Sequence, residues 1–223
     1  MMQQKSKKIL IYLFLFLMIG SLNNKNFKNI DFKKINKISI KGLDEKNNLK
    51  LENNLKFLEL GNLFFLKKKD IEEIIDRNNL VENYLVFKKY PSTLEITIHK
   101  TDFLAKIKRD NNDFILGSNG KLIKMIDKEI KLPFIFGDLN VKKFFELKKA
   151  IDLTDFDYHS IKNFFFFKSG RWDIETKDGL LIKLPNENLK NSLELFLIFL
   201  TKNNHKEIKK IDLRQHNQII INE

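Results

Sequence analysis

Leu94, Ile96 and Ile98 alternate with Thr93, Glu95 and Thr97, and this period of two predicts a strand with one buried face. A strand-like run from Val81 to Lys89 precedes it. Between them stands Tyr90-Pro91, and Pro91 has no N–H to give a sheet ladder, so the chain turns there. Upstream the spacing becomes helical. Leu51, Leu55 and Leu58 form one stripe, closed by Gly61, and Ile71, Ile74 and Ile75 form another, with Asp70 and Glu73 placed as a capping box. Ile38 and Ile40 alternate in a short strand that ends at Gly42, so residues 35–100 read strand, helix, helix, strand, strand.

From Phe103 onward the elements shorten. Leu104 to Lys108 and Phe114 to Leu116 read as strands around Asn111-Asn112, and Gly117 to Gly120 turns into Leu122-Ile123. Leu132 to Gly137 reads as a buried apolar loop, and Phe144, Leu147, Lys148 and Ile151 mark a helix. Three strands follow, Ile161 to Phe167, Trp172 to Thr176 and Leu180 to Leu184, with Lys168-Ser169-Gly170 and Lys177-Asp178-Gly179 as their turns. Asn186 is placed to cap a helix with the stripe Leu189, Leu193, Phe196, Leu197 and Leu200. Ile208 to Leu213 and Gln218 to Ile221 complete the pattern as strands. The phenylalanines of Phe164 to Phe167 point both ways along their strand, as expected of a central strand buried on two sides.

The N-terminal pattern has no alternation. Ile9 to Ile19 is wholly apolar, and no charge falls between Lys8 and Lys25. Sixteen uncharged residues make a helix of roughly 24 Å, against ~30 Å of hydrocarbon, so Lys8 and Lys25 would have to snorkel. No Ala-x-Ala site follows, which favours a retained anchor over a cleaved leader. Lys5, Lys7 and Lys8 assign the first eight residues to the cytoplasm. The expected layout is therefore a tail over 1–8, a transmembrane anchor over 9–24, a polar linker over 25–34, and the remainder outside the cytoplasm.

Charge changes this picture little. The net charge is +12, which taken alone suggests nucleic acid, yet only four of the 41 basic residues are arginine and the lysines are dispersed. Abundant Lys, Asn, Ile and Phe with two alanines is the residue usage of an A+T-rich genome, so nucleic acid is not expected as a ligand, and with no Gly-rich phosphate loop neither is a small-molecule substrate. The absence of cysteine excludes disulfides and thiolate metal sites.

The strand, helix, helix, strand, strand order with its Tyr-Pro-x-x-Leu-x-Ile hairpin resembles a POTRA domain, a module that docks other proteins. The wider chain resembles the FtsQ/DivIB family of cell-division proteins. The residues that carry this are Tyr90-Pro91 with Leu94 and Ile96, Ala105, Gly120, Leu132-Pro133 with Gly137, Arg171-Trp172, Asp178-Gly179 and Ile211-Asp212-Leu213-Arg214. The family pattern has an acidic residue where Lys100 stands and a proline where Phe103 stands. The resemblance implies an α+β chain with an N-terminal transmembrane helix, a small POTRA domain over 35–100, and an antiparallel β-domain with flanking helices over 101–223. It implies a single-pass, type II inner-membrane protein of the division septum whose periplasmic part binds FtsB and FtsL. A POTRA component of protein transport or secretion is the alternative, though no run of amphipathic strands supplies a barrel.

Two fragments invite an enzymatic reading. Ser118-Asn119-Gly120-Lys121 fits Ser-x-x-Lys, and Lys168-Ser169-Gly170 resembles Lys-Thr-Gly, but strand-turn patterns flank both. His99, His159, His205 and His216 lack metal spacing, so no catalytic residue, cofactor or metal is expected. Function is expected instead at the final strand. A strand that closes a sheet leaves N–H and C=O groups unpaired, and a partner segment can add there. The expected partner-binding residues are Arg171, Arg214, Gln215, Asn217, Gln218, Ile219, Ile220 and Ile221, the arginines because a planar fork suits a partner carboxylate.

Overall fold

A computed structural model describes residues 3–22, 33–125, 130–202, 208–215 and 218–222. The elements in order are α1 (Gln3–Leu22), β1 (Lys37–Lys41), α2 (Glu45–Leu55), a 3-10 turn (Lys56–Leu60), α3 (Lys68–Ile75), β2 (Val81–Lys89) and β3 (Thr93–Lys100). Then come β4 (Phe103–Arg109), β5 (Asn112–Gly117), β6 (Leu122–Lys124), β7 (Phe134–Phe136), α4 (Val141–Asp152), a second 3-10 turn (Tyr158–Ser160), β8 (Ile161–Phe166), β9 (Trp172–Thr176), β10 (Leu181–Lys183), α5 (Leu189–Lys202), β11 (Lys210–Asp212) and β12 (Ile220–Asn222). One sheet has three strands in the order β1-β3-β2, and the other has nine, in the order β12-β11-β10-β9-β8-β7-β4-β5-β6. The chain forms two compact units, Met1–Ile74 with Leu85–Thr97, and Ile75–Tyr84 with Ile98–Glu223.

In the first unit, Asp44 caps α2 by accepting from the Asn47 N–H at 2.9 Å. Leu51, Leu55 and Leu58 are buried as the stripe requires, but the last turn is 3-10, and the N–H of Gly61, which is extended, donates to Leu58. α3 starts two residues before Asp70. The Asp70 carboxylate accepts the Lys67 N–H at 3.2 Å, the reach-back half of a capping box. β1 pairs with β3 in parallel and packs against α2, and Ile38, Ile40, Leu94 and Ile96 of the sheet are buried, as are Leu51 and Leu55 of α2 and Ile71 and Ile75 of α3. α1 is a helix whose Ile9 to Ile19 side chains are all exposed, from 46% to 77%. Among the described residues no helix is long and apolar enough to cross a membrane. The apolar run between Lys8 and Gly20 makes only about 16 Å of helix.

The nine-stranded sheet of the second unit corrects the expectation of an antiparallel domain. β4–β7, β7–β8 and β10–β11 are parallel. Parallel neighbours need a crossover, and α4 supplies one between β7 and β8, α5 another between β10 and β11. β7 also replaces the expected apolar loop over 132–137 and sits inside the sheet. The buried side chains of α4 and α5 pack on one face. Ile135, Phe164, Ile174, Ile182 and Ile211 form a row across five strands beneath Phe144, Leu147, Leu193 and Phe196. Phe144, Phe164 and Trp172 meet there edge-on, with centroids 5.6 to 6.1 Å apart. β8 is therefore core on one face, while Phe165 on the other is half-buried and stacks on Phe136 at 5.1 Å. Asn186 does not cap α5. Its amide donates to the Ser169 carbonyl at 3.0 Å, and Asn188, with φ 58°, makes the turn into the helix.

Candidate functional site

β12 stands at one end of the nine-strand order, and among the described residues it pairs only with β11, antiparallel, with Asp212 opposite Ile220 and Ile211 opposite Ile221. The strand begins at Ile220, two residues later than its sequence pattern suggested, and the Gln218 N–H donates to the Gln215 carbonyl at 3.3 Å instead of joining the ladder. Ile219 is half-buried against the core, whereas Ile220 and Ile221 remain 47% and 42% exposed. Gln215 and Gln218 are exposed, and Asn217 lies outside the described residues.

The backbone direction of this edge follows from its neighbour. Leu213 donates to the Lys183 carbonyl and Leu181 to the Lys209 carbonyl, each at 2.9 Å, so residues 209, 211 and 213 turn their amides and carbonyls toward β10. By the alternation of a strand, Lys210 and Asp212 turn theirs toward β12 and bond Asn222 and Ile220. The N–H and C=O of Ile221 then point out of the sheet. Native edges are commonly blunted with lysine or proline. In a chain this rich in lysine, Gln215 to Asn222 contains neither.

On the face away from the helices, register places Asp173, Lys183, Asp212 and Ile220 in one row. Arg214 binds Asp212 through Nε, at 2.8 Å to Oδ1 and 2.9 Å to Oδ2, and through Nη2 to Oδ2. That bidentate pair holds the Asp212 carboxyl below its usual range and raises the guanidinium. The Arg214 fork thus engages a carboxylate of its own chain, although 41% of the side chain stays exposed. Arg171 lies over the Phe167 ring at 4.3 Å, and its Nε is 3.5 Å from Asp173 Oδ1. Among the described residues neither of those two atoms has a hydrogen-bond partner.

Asp173 is only 3% exposed, and burial pushes its carboxyl up despite the nearby Arg171, Lys183 and Arg214. The two aspartates therefore titrate with opposite consequences. Asp212, lowered in the folded state, contributes stability above its unfolded pKa and loses it as pH falls through the folded value. Asp173, raised, costs stability when ionised and is relieved as pH falls through its folded value. Asp173→Asn is expected to raise the unfolding midpoint at pH 7, with the gain shrinking on acidification, as thermal unfolding across pH will show.

Ser118 and Lys121 reach different partners. Ser118 Oγ contacts Glu82 Oε2 at 2.7 Å and Thr101 Oγ1 at 3.0 Å and accepts the Asp102 N–H at 2.9 Å. Lys121 Nζ donates to the Asp76 carbonyl at 2.6 Å. Among the described residues no cluster of three or more His, Cys, Asp or Glu could hold a metal. The charge-free edge was legible in the sequence. The Asp212–Arg214 pair was not read there, because the Arg214 fork was assigned to a partner carboxylate; the carboxylate two residues before it was the available signal.

Two family models match the chain. The FtsQ-type POTRA domain covers residues 33–100, and the C-terminal region of cell division protein FtsQ/DivIB covers residues 105–214. Among curated relatives, cell division protein DivIB of Clostridium botulinum is 27% identical over 214 residues, which is 95% of this chain and 71% of that protein. Cell division protein FtsQ of Rickettsia bellii is 26% identical over 169 residues, 72% of this chain, and the match spans 61% of the rickettsial protein's length. Among solved structures, the major extracytoplasmic domain of the trans isomer of DivIB from Geobacillus stearothermophilus aligns with 47% of this chain and 98% of that one, at 14% identity and a TM-score of 0.35.

Proposed function

The chain belongs to the FtsQ/DivIB family of cell division proteins, and from that membership and the open sheet edge we propose that it is a non-enzymatic scaffold of the division machinery. Its partners in this reading are FtsB and FtsL. One observation carries it: β12 ends the nine-strand order with an outward-facing Ile221 backbone, exposed isoleucines and no lysine or proline. A partner segment adds to β12 as a tenth strand. Its main chain gains affinity from the Ile221 amide and carbonyl, and its side chains meet Ile220 on one face and Ile221 on the other. Arg214, pre-set by Asp212 and still half open, can share a partner carboxylate beside that strand. Arg171 serves the same sheet face at one remove, holding Asp173 and Phe167.

The same reading makes residues 35–100 a POTRA domain and residues 101–223 the partner-binding domain, both outside the cytoplasm at the septum. α1 is the membrane-seated segment, its exposed apolar run in the hydrocarbon and its lysines at the headgroups.

The test is co-purification of the full chain with FtsB and FtsL. Ser118→Ala is expected to cost about 1–2 kcal/mol of stability, since it strips hydrogen bonds that join residues 82, 101 and 102. Capture of FtsB and FtsL should nevertheless equal that of the parent. Loss of capture by a folded Ser118→Ala variant would count against a scaffold and for chemistry at Ser118.

A further inference from the structure

The 3-10 turn of the first unit and the loop behind it expose four large apolar side chains: Phe57 (52%), Leu60 (79%), Phe64 (63%) and Phe65 (65%). This exposure is built in. Leu58 and Leu63 of the same segment are buried, and Asn62 Oδ1 accepts the N–H groups of Phe64 and Phe65, each at 3.1 Å. Ile35 N–H binds the Gly61 carbonyl at 3.0 Å, and Lys88 Nζ donates to the Leu66 carbonyl at 2.8 Å. Lysines bracket the apolar tip, Lys56 before it and Lys67, Lys68 and Lys69 after it, against Glu59 as the acid within that stretch. Lys68 also reaches Glu72 at 2.7 Å.

We propose that this loop docks on a bilayer surface containing anionic lipid, with its phenylalanines and Leu60 seated at the headgroup–acyl boundary and its lysines on the headgroups. Aromatic and aliphatic tips rimmed by lysine suit that boundary, where long cationic side chains keep their charge in the polar layer. A protein partner is the poorer fit, because lysine is depleted in protein interfaces. The loop's reach rests on the reading of α1 as membrane-seated. Lys34 bridges Asn62 within the loop, so only residues 23–33 separate α1 from it, at most about 40 Å of chain.

The test uses the full chain in vesicles of phosphatidylcholine and phosphatidylglycerol with brominated acyl chains, after subtracting the constant emission of the parent's buried Trp172. The added emission of Phe65→Trp is expected to fall by roughly half through contact with the acyl boundary. It should recover when Lys67, Lys68 and Lys69 are all changed to Glu. Unquenched emission from Phe65→Trp overturns the proposal. Tyr12→Trp in the same vesicles reports on α1 separately. Quenching at position 12 without quenching at 65 removes the loop and leaves the α1 reading intact. Quenching at 65 without quenching at 12 supports the loop and removes the α1 reading.

Discussion

Gly137→Ala is expected to lower the thermal unfolding midpoint of the second unit by about 10 °C, because an alanine there costs roughly 3–4 kcal/mol. Gly137 closes β7 with φ 100°, a conformation that L side chains rarely adopt. An added Cβ would stand 2.2 Å from the Phe166 carbonyl oxygen. That oxygen belongs to β8, so relief requires the parallel pair β7–β8 to part, and this pair carries Ile135 and Phe164 of the core. Gly170 and Gly179 share the positive φ, at 82° and 85°, but a Cβ at either meets nothing within 4 Å. Their alanine variants should lose only the backbone term, about 1 kcal/mol each. Circular dichroism melts of the three variants check the contrast, and equal losses would show that the approach to Phe166 carries no weight.

Gly137 also shows where the sequence stopped being readable. Its neighbours Phe134, Ile135 and Phe136 are apolar without alternation, follow a proline and span only three residues, so nothing in the period marked them as a strand. Their place beside β4 and β8 is set by pairing partners remote in the chain. The parallel pairings were hidden for the same reason, since direction depends on where α4 and α5 return the chain. Elements with clear alternation or helical stripes, such as β3, α4 and α5, were legible because burial on one face imposes the period. Asn186 misled because an amide before an apolar stripe signals a cap, yet here it bonds a turn instead. The exposure of Phe64 and Phe65 was equally opaque, since an apolar loop reads the same whether it faces the core or the solvent.

At the candidate site, the terminal strand and its lack of charge were visible, whereas the outward amide was not. Alternation in Gln218 to Ile221 gives side-chain faces but not which amides face out, and that depends on how β11 bonds β10. This decides the second large effect. Ile220 turns its backbone to Asp212, so Ile220→Pro breaks the β11–β12 pair itself. Ile221→Pro removes an N–H that faces out of the sheet, where an edge strand tolerates proline. Ile221→Ala keeps that N–H and shortens only the side chain, so it separates main-chain from side-chain contributions.

The most direct measurement is therefore pull-down of FtsB and FtsL by the full chain and its Ile221→Pro and Ile221→Ala variants, with circular dichroism on each. Strand addition at β12 predicts that Ile221→Pro keeps the parent spectrum and loses at least about ten-fold in capture, the cost of a main-chain hydrogen bond plus a blocked strand. Ile221→Ala should retain most of it. Undiminished capture by a folded Ile221→Pro variant would contradict docking at this edge.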